Sequence, residues 1–195
     1  GREAQAVVEG VNILNKRIRE AIEKSDFPEI LKEKRIFEFE NMFSRPAEHF
    51  EEALQRILFF NQIMWQTRHR LNGLGRLDKI LGDLYQRDIK DEVLTYKEAS
   101  KIVFDFMTQM SKYSDYKSDA LEGDIGQIII LGGLNPDGTY FCNDLTEIFL
   151  CQQGKLGKPD PKTFLRVSGN MPEALLRTAI ECLTYKTGSP LFSND

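Results

Sequence analysis

Residues 69–88, HRLNGLGRLDKILGDLYQRD, gather three glycines, three arginines and three aspartates into one polar stretch. Arginine in such a setting suits a carboxylate or a phosphate, because its planar fork makes two parallel hydrogen bonds to either group. Arg76 is followed two positions later by Asp78. A helix would turn the two side chains about 200 degrees apart, whereas extended chain would put them on one face. Two readings stay open for Arg76: a buried ion pair, with Asp78 or a more distant acid, or an anion site. Gly73 and Gly75 can bring backbone close to a ligand or simply end a helix. Their spacing is not the dinucleotide fingerprint, and no GKS or GKT is present, which rejects a phosphate loop.

Further positions carry possible chemistry. Gly132 and Gly133 end the apolar run of IIILGG, at the carboxyl end of a predicted strand, where open α/β sheets and barrels place their sites; the competing reading is a turn that needs glycine. Arg166 lies inside the apolar stretch KTFLRV, so it must be paired or reach outward, as a structural ion pair or as an inward-facing anion anchor. Asn143 is first a loop or cap residue. His69 follows Trp65 by one turn beside Arg68 and Arg70, but no nucleophile or acid stands in a triad relation to it. His49 reads as part of a helix's first turn. Cys142, Cys151 and Cys182 have no CxxC spacing, which argues for free buried thiols and against disulfides or a zinc site.

The elements that must position these residues are mostly helical at first. Val7, Val8, Val11, Leu14, Ile18, Ala21 and Ile22 recur at helical spacing over the first twenty-odd residues, until Ser25–Pro28 interrupts. FSRPAEHFEEALQRILFFNQIMWQTRHRL predicts a long helix with Pro46 near its start and Leu54, Ile57, Leu58, Asn61, Met64, Trp65 and Arg68 along one side. LTYKEASKIVFDFMTQM predicts another, with Thr95 and Glu98 set as a reciprocal capping box. After a loop rich in Ser, Asp and Tyr come the strand IIILGG, the turn NPDGTY, a helix capped by Asp144 with Glu147 three on, the strand KTFLRVSG, and a last helix opened by Asn170 and Pro172. The expected class is α/β, a helix-rich segment followed by strand–helix–strand–helix.

Composition bounds the function. With 195 residues, 41% hydrophobic and 29% charged, the chain is long enough for a sizeable core. A net charge of −4 provides no basic excess for nucleic acid, and no apolar stretch approaches a membrane span. A cytoplasmic protein without metal, nucleic-acid or membrane partners is the expectation. Gly1 in place of an initiator Met, and an end at PLFSND, suggest an excised segment of something longer.

The series HRLNGLGRLDK, IIILGGLNPDG, CNDLTEIFL, FLRVSGNMP and PLFSND resembles the glycyl radical enzymes related to pyruvate formate-lyase, in particular their glycerol and diol dehydratase and choline-lyase branch. That branch reads G-R-x-D-Q, L-G-G with D-G, N-E-L-(S/T), a strand with R-x-H, and P-x-F-x-N-D. Gly75, Arg76, Asp78, Gly132, Gly133, Asp137, Gly138, Asn143, Leu145, Thr146, Arg166, Phe192, Asn194 and Asp195 match it. The chain departs from it at Lys79 for Gln, Asp144 for Glu and Ser168 for His, which puts the usual diol and choline substrates in doubt.

The resemblance implies a ten-stranded α/β barrel, of which residues 1–195 are a central segment, 1–68 mainly helical and 69–195 barrel wall. It implies a lyase or dehydratase of anaerobic metabolism that cleaves C–C, C–O or C–N bonds of a small polar or carboxylate-bearing metabolite. The family's thiyl cysteine follows the N-D motif and its radical glycine lies near the end of the enzyme. Neither falls within these residues, so this segment is expected to contribute no catalytic residue, to bind no cofactor and to give no turnover alone. The parent would be homodimeric, with a glycyl radical installed by an iron–sulfur radical SAM activase. Arg76, Asn143 and Arg166 are the implied substrate-binding residues, and Gly75, Asp78, Gly132, Gly133, Asn194 and Asp195 the structural residues near the site. A catalytically inactive scaffold or interaction module, and a small-anion-binding domain, are the alternatives.

Overall fold

The computed structural model describes residues 1–66, 72–112 and 126–195. The cluster Arg68, His69 and Arg70, and most of the Ser-, Asp- and Tyr-rich loop, lie outside the described residues. The chain divides into two compact units, Gly1–Ala47 and Glu48–Asp195.

The first unit is a helical hairpin of α1 (Arg2–Glu23) and α2 (Glu29–Glu40). Helix α1 follows the predicted apolar spacing. Helix α2, EILKEKRIFEFE, is too evenly charged to announce itself by periodicity. It is fixed to α1 by polar bonds: Asn15 Nδ2 donates to the Phe39 carbonyl at 2.9 Å, and Arg19 pairs with Glu40 at 2.9 Å.

The second unit is built on one four-stranded parallel sheet, in the order β1 (Asn72–Arg76), β2 (Gln127–Gly132), β3 (Lys162–Val167), β4 (Leu191–Asn194). Helices α3 (Phe50–Gln66), α4 (Leu77–Ile80), α5 (Gly82–Lys90), α6 (Tyr96–Ser111), α7 (Asp144–Leu156) and α8 (Glu173–Leu183) complete it. The α/β class holds, and the helix-rich region with its parallel sheet is consistent with part of a barrel wall.

Two strands that sequence patterning passes over belong to this sheet. β1 is NGLGR, whose glycines read as a helix end. It is a strand because Asn72 and Gly73 pair with Gln127 and Ile128, after which the register shifts before Arg76 meets Ile130. β4, LFSN, is only four residues long and is defined by pairing with Phe164–Val167. Neither has a local signal, since both depend on partners distant in sequence.

The alternation along β2 and β3 separates two faces. Ile129, Leu131 and Leu165 are fully buried, as are Leu145, Ile148 and Phe149 of α7 and Val103 and Met107 of α6. Ile128, Ile130, Phe164 and Arg166 point the other way and are half-buried. Asn61 on α3 donates to Gln127 Oε1 at 2.5 Å, Gln127 Nε2 donates to the Met110 carbonyl at 3.0 Å, and Asn72 donates to Asn61 Oδ1 at 3.1 Å. This buried polar chain ties α3, α6, β1 and β2 at the amino ends of the strands. A satisfied network of this kind fixes register, because a one-residue slip would leave each member unpaired.

Several helix starts differ from expectation. α3 begins at Phe50 and not beside Pro46, because the buried Asp88 of α5 accepts the Phe50 N–H at 2.7 Å while its other oxygen lies 3.0 Å from His49 Nδ1. The cap comes from 38 residues away, so local spacing does not reveal it. α6 carries the predicted Thr95–Glu98 capping box. α7 is capped by Asn143 with Thr146, one position earlier than Asp144 with Glu147; Asp144 instead accepts from the Tyr85 hydroxyl at 3.2 Å. α8 starts after Pro172 with no side-chain cap, and Asn170 donates to the Gly138 carbonyl at 2.9 Å.

Candidate functional site

The carboxyl ends of the four strands bring together Arg76 from β1, Gly132 at the end of β2 with Gly133 after it, Arg166 from β3, and Asn194 at the end of β4 with Asp195 after it. Residues 57 and 61 positions apart, Arg76 with Gly133 and Leu134 with Asp195, are thereby hydrogen-bonded. The half-buried face of the sheet bounds a cavity of about 460 Å³ lined by Gly75, Arg76, Ile128, Ile130, Phe164, Arg166 and Ser193. Its floor is apolar, and its polar groups are two arginines and a serine.

The two arginines are in different states. Arg166 forms an ion pair with Asp195, whose side chain is almost entirely buried, and Asp195 also accepts the Leu134 N–H. The Tyr140 hydroxyl donates to the Arg166 carbonyl at 2.6 Å and the Asp195 N–H to the Val167 carbonyl at 3.0 Å. Arg166 is therefore held in place and neutralised. Arg76 donates only long bonds, to the carbonyls of Gly133 at 3.3 Å and Leu134 at 3.4 Å, and its guanidinium lies 5.3 Å from the centre of the Phe141 ring. Its Nε is buried without a hydrogen-bond partner. Among the described residues no carboxylate forms an ion pair with it. Of the two cations bounding the cavity, Arg76 is the one in no direct ion pair.

Asp78 does not pair with Arg76. Its fully buried carboxylate accepts the Gly132 N–H at 2.7 Å, the Thr146 hydroxyl at 2.8 Å and the Lys79 N–H at 2.8 Å. Burial pushes its pKa up, against the opposing pull of those bonds and of the nearby Arg76 charge. Asn143 Nδ2 donates to the Asp78 carbonyl at 2.9 Å while its Oδ1 accepts the Thr146 N–H at 3.1 Å. One buried cluster thus joins the turn after β1, the end of β2 and the start of α7. Asn143 lies outside the lining of the sheet-face cavity. It borders a second hollow of about 290 Å³ between the starts of α7 and α8.

Gly133, at φ +107°, shows why a side chain is excluded there: a Cβ would come within 2.8 Å of Asp195 Oδ2 and 3.0 Å of Arg166 Cβ. The residues that replace the family pattern lie outside the lining of this cavity. Lys79 donates to Asn135 Oδ1 at 2.9 Å and lies 5.2 Å from the Phe141 ring centre, and Ser168 bonds Asn170. Phe141 was not singled out by motif or spacing; its role as a platform for two cations appears only in three dimensions.

None of the three cysteines borders the sheet-face cavity. Burial raises all three thiols; Cys182, which donates to the Leu150 carbonyl at 3.0 Å, is pushed up to about 11. Among the described residues no group of three or more His, Cys, Asp or Glu side chains could hold a metal ion, and no helix is long and apolar enough to cross a membrane.

Comparison with known proteins places this geometry in context. The family model described as Pyruvate formate lyase-like matches residues 8–195. Isethionate sulfite-lyase of Oleidesulfovibrio alaskensis is 25% identical over 159 residues, 77% of this chain and 19% of the relative. The 4-hydroxyphenylacetate decarboxylase glycyl radical subunit of Clostridioides difficile is 26% identical over 180 residues, 89% of this chain and 19% of the relative. A solved structure concerned with 1,2-propanediol dehydration in Roseburia inulinivorans superimposes with a TM-score of 0.80 at 23% identity, over 97% of this chain and 25% of that one. The chain therefore spans about a fifth of the length of the curated relatives it matches.

Proposed function

The chain belongs to the pyruvate formate lyase-like family of glycyl radical enzymes, and from that premise we propose that it forms part of the barrel wall of a glycyl radical lyase or dehydratase. The observation that carries this reading is the cavity at the carboxyl ends of four parallel strands, with an apolar floor and one arginine in no direct ion pair. In the complete enzyme this sheet continues into a ten-stranded barrel, with 1–68 a mainly helical portion and 69–195 forming wall. The substrate is a small polar metabolite bearing a carboxylate or a similar oxyanion, cleaved at a C–C, C–O or C–N bond. The enzyme is cytoplasmic and homodimeric, belongs to anaerobic metabolism and is activated by a radical SAM partner. The similarity to enzymes of isethionate and of 4-hydroxyphenylacetate, both acidic small molecules, supports that class.

The radical groups of the family reside outside these residues and supply hydrogen-atom abstraction from an unactivated carbon. The residues of this chain shield and orient. Ile128, Ile130 and Phe164 present apolar surface that keeps water from the reacting carbon. Arg76 takes the anionic group by a two-pronged contact, replacing its long carbonyl bonds with shorter charge-assisted ones. Arg166, already bound to Asp195, contributes shape and a polar edge. Asn143 acts as a positioning residue through Asp78, holding the turn that carries Arg76.

In the complete enzyme, Arg76→Gln should lower kcat/KM by about 100-fold, a loss in line with one charge-assisted hydrogen bond and its orienting effect. The glycyl radical signal in electron paramagnetic resonance should stay at the parental level. An unchanged kcat/KM would overturn the reading. The 195-residue chain alone should give no product, because an open sheet cannot enclose a radical; substrate-dependent product from the purified chain would also overturn it.

A further inference from the structure

Lys79 and Arg76 share one aromatic ring. The Lys79 ammonium lies 5.2 Å and the Arg76 guanidinium 5.3 Å from the centre of Phe141. The two cationic centres are therefore no farther apart than the sum of these distances, about one screening length in physiological salt. Among the described residues neither has an ion-pair partner. Asp137 lies within electrostatic range of Lys79 and Asp78 within range of Arg76, but the Asp137 carboxylate is engaged by the amide and hydroxyl of Thr139, at 3.0 and 2.6 Å, and that of Asp78 by the Gly132 and Lys79 N–H groups and the Thr146 hydroxyl. Lys79 donates to the neutral Asn135 side chain, and Arg76 donates to two carbonyls. Two like charges held on one ring, each hydrogen-bonded only to neutral acceptors and in no direct ion pair, are left able to close on an arriving anion at the edge of the cavity.

We propose that Lys79 is a specificity-determining residue of this site, which with Arg76 across Phe141 makes the cavity select small oxyanions over neutral polyols. The inference rests on the reading of the cavity given above and adds to it a second cation, outside the cavity lining. Lys79 acts at a distance, by field, and Arg76 by contact. Coulombic coupling over several ångströms at a partly solvated site amounts to a change in affinity of about 3- to 10-fold, and it fades as salt rises.

The test is titration of the chain with methanesulfonate, inorganic phosphate and glycerol, followed by NMR at low and high salt, for the parental chain and for K79R, K79Q and R76Q. Lys79 is exposed, so K79R and K79Q leave the fold intact, and the denaturation midpoint checks this for all three variants. The expected result is tighter binding of both anions than of glycerol, retained in K79R. K79Q should weaken both anions by about 3- to 10-fold at low salt with a smaller salt dependence, and leave glycerol unchanged. R76Q should abolish anion binding. Parental anion affinity and salt dependence in K79Q, with R76Q still inactive in binding, would overturn the role of Lys79 and leave the cavity reading standing. Parental affinity in R76Q, or no preference for anions in the parental chain, would overturn both.

Discussion

The Asp78 carboxylate accepts the backbone N–H of Gly132 at 2.7 Å, across 54 residues of sequence. With the Thr146 hydroxyl on the same oxygen, it fastens the turn after β1 to the end of β2 and the start of α7. The two strand ends that bound the cavity are held in relation by this one buried side chain.

Replacing Asp78 by Ala should leave the Gly132 and Lys79 N–H groups and the Thr146 hydroxyl without their acceptor, and destabilise the chain by about 2–4 kcal/mol. Asp78→Asn keeps one acceptor oxygen and opposes an NH₂ to a donor, so a smaller loss is expected. The pH dependence has a definite sign. Burial raises the native pKa of Asp78 above its usual 3.8, so its contribution to stability is greatest below that value and declines as pH rises through the native pKa. The deficit of D78N relative to the parental chain should therefore narrow from acid toward neutral pH in urea denaturation; a deficit that widens over this range would contradict the assignment.

Arg166→Ala should strand the nearly buried Asp195 carboxylate. Breaking one side of such a pair costs about 3–5 kcal/mol when both groups are buried, and the partial exposure of Arg166 brings the expected loss to about 1–3 kcal/mol. Adding Asp195→Asn should recover part of it. A double-mutant cycle with no coupling energy would show that the pair does not hold the strand ends together.

At Gly133, alanine must adopt φ +107° and place its Cβ against Asp195 and Arg166. About 2–4 kcal/mol of destabilisation is expected, from backbone strain plus displacement of the ion pair. Gly138→Ala is the control, since φ is also positive there, at +83°, with open space around the Cβ; thermal unfolding should rank Gly133→Ala well below it.

The thiols should differ in reactivity. Cys182 is buried and donates to Leu150, and burial pushes its thiol up to about 11, while Cys142 and Cys151 are half-buried. Because the thiolate is the reacting form, iodoacetamide at pH 8 should label Cys142 and Cys151 before Cys182, as followed by mass spectrometry. First labelling at Cys182 would count against this packing.

Local chemistry is where the sequence is most informative. The amphipathic spacing of α1, the Thr95–Glu98 box opening α6, and the apolar run of β2 depend on residues within a few positions of one another, and each appears as read. The ordered motifs from Gly75 to Asp195 point to the family that residues 8–195 match. Tertiary structure decides everything whose partner is remote. β1 and β4 exist because β2 and β3 pair with them, and α3 begins where Asp88 caps it. The two arginines are indistinguishable by type and motif. Only the fold gives Arg166 the Asp195 carboxylate and leaves Arg76 with carbonyls and a shared aromatic ring. The physical reason is that charge compensation is a matter of a few ångströms in space, which chain spacing does not encode.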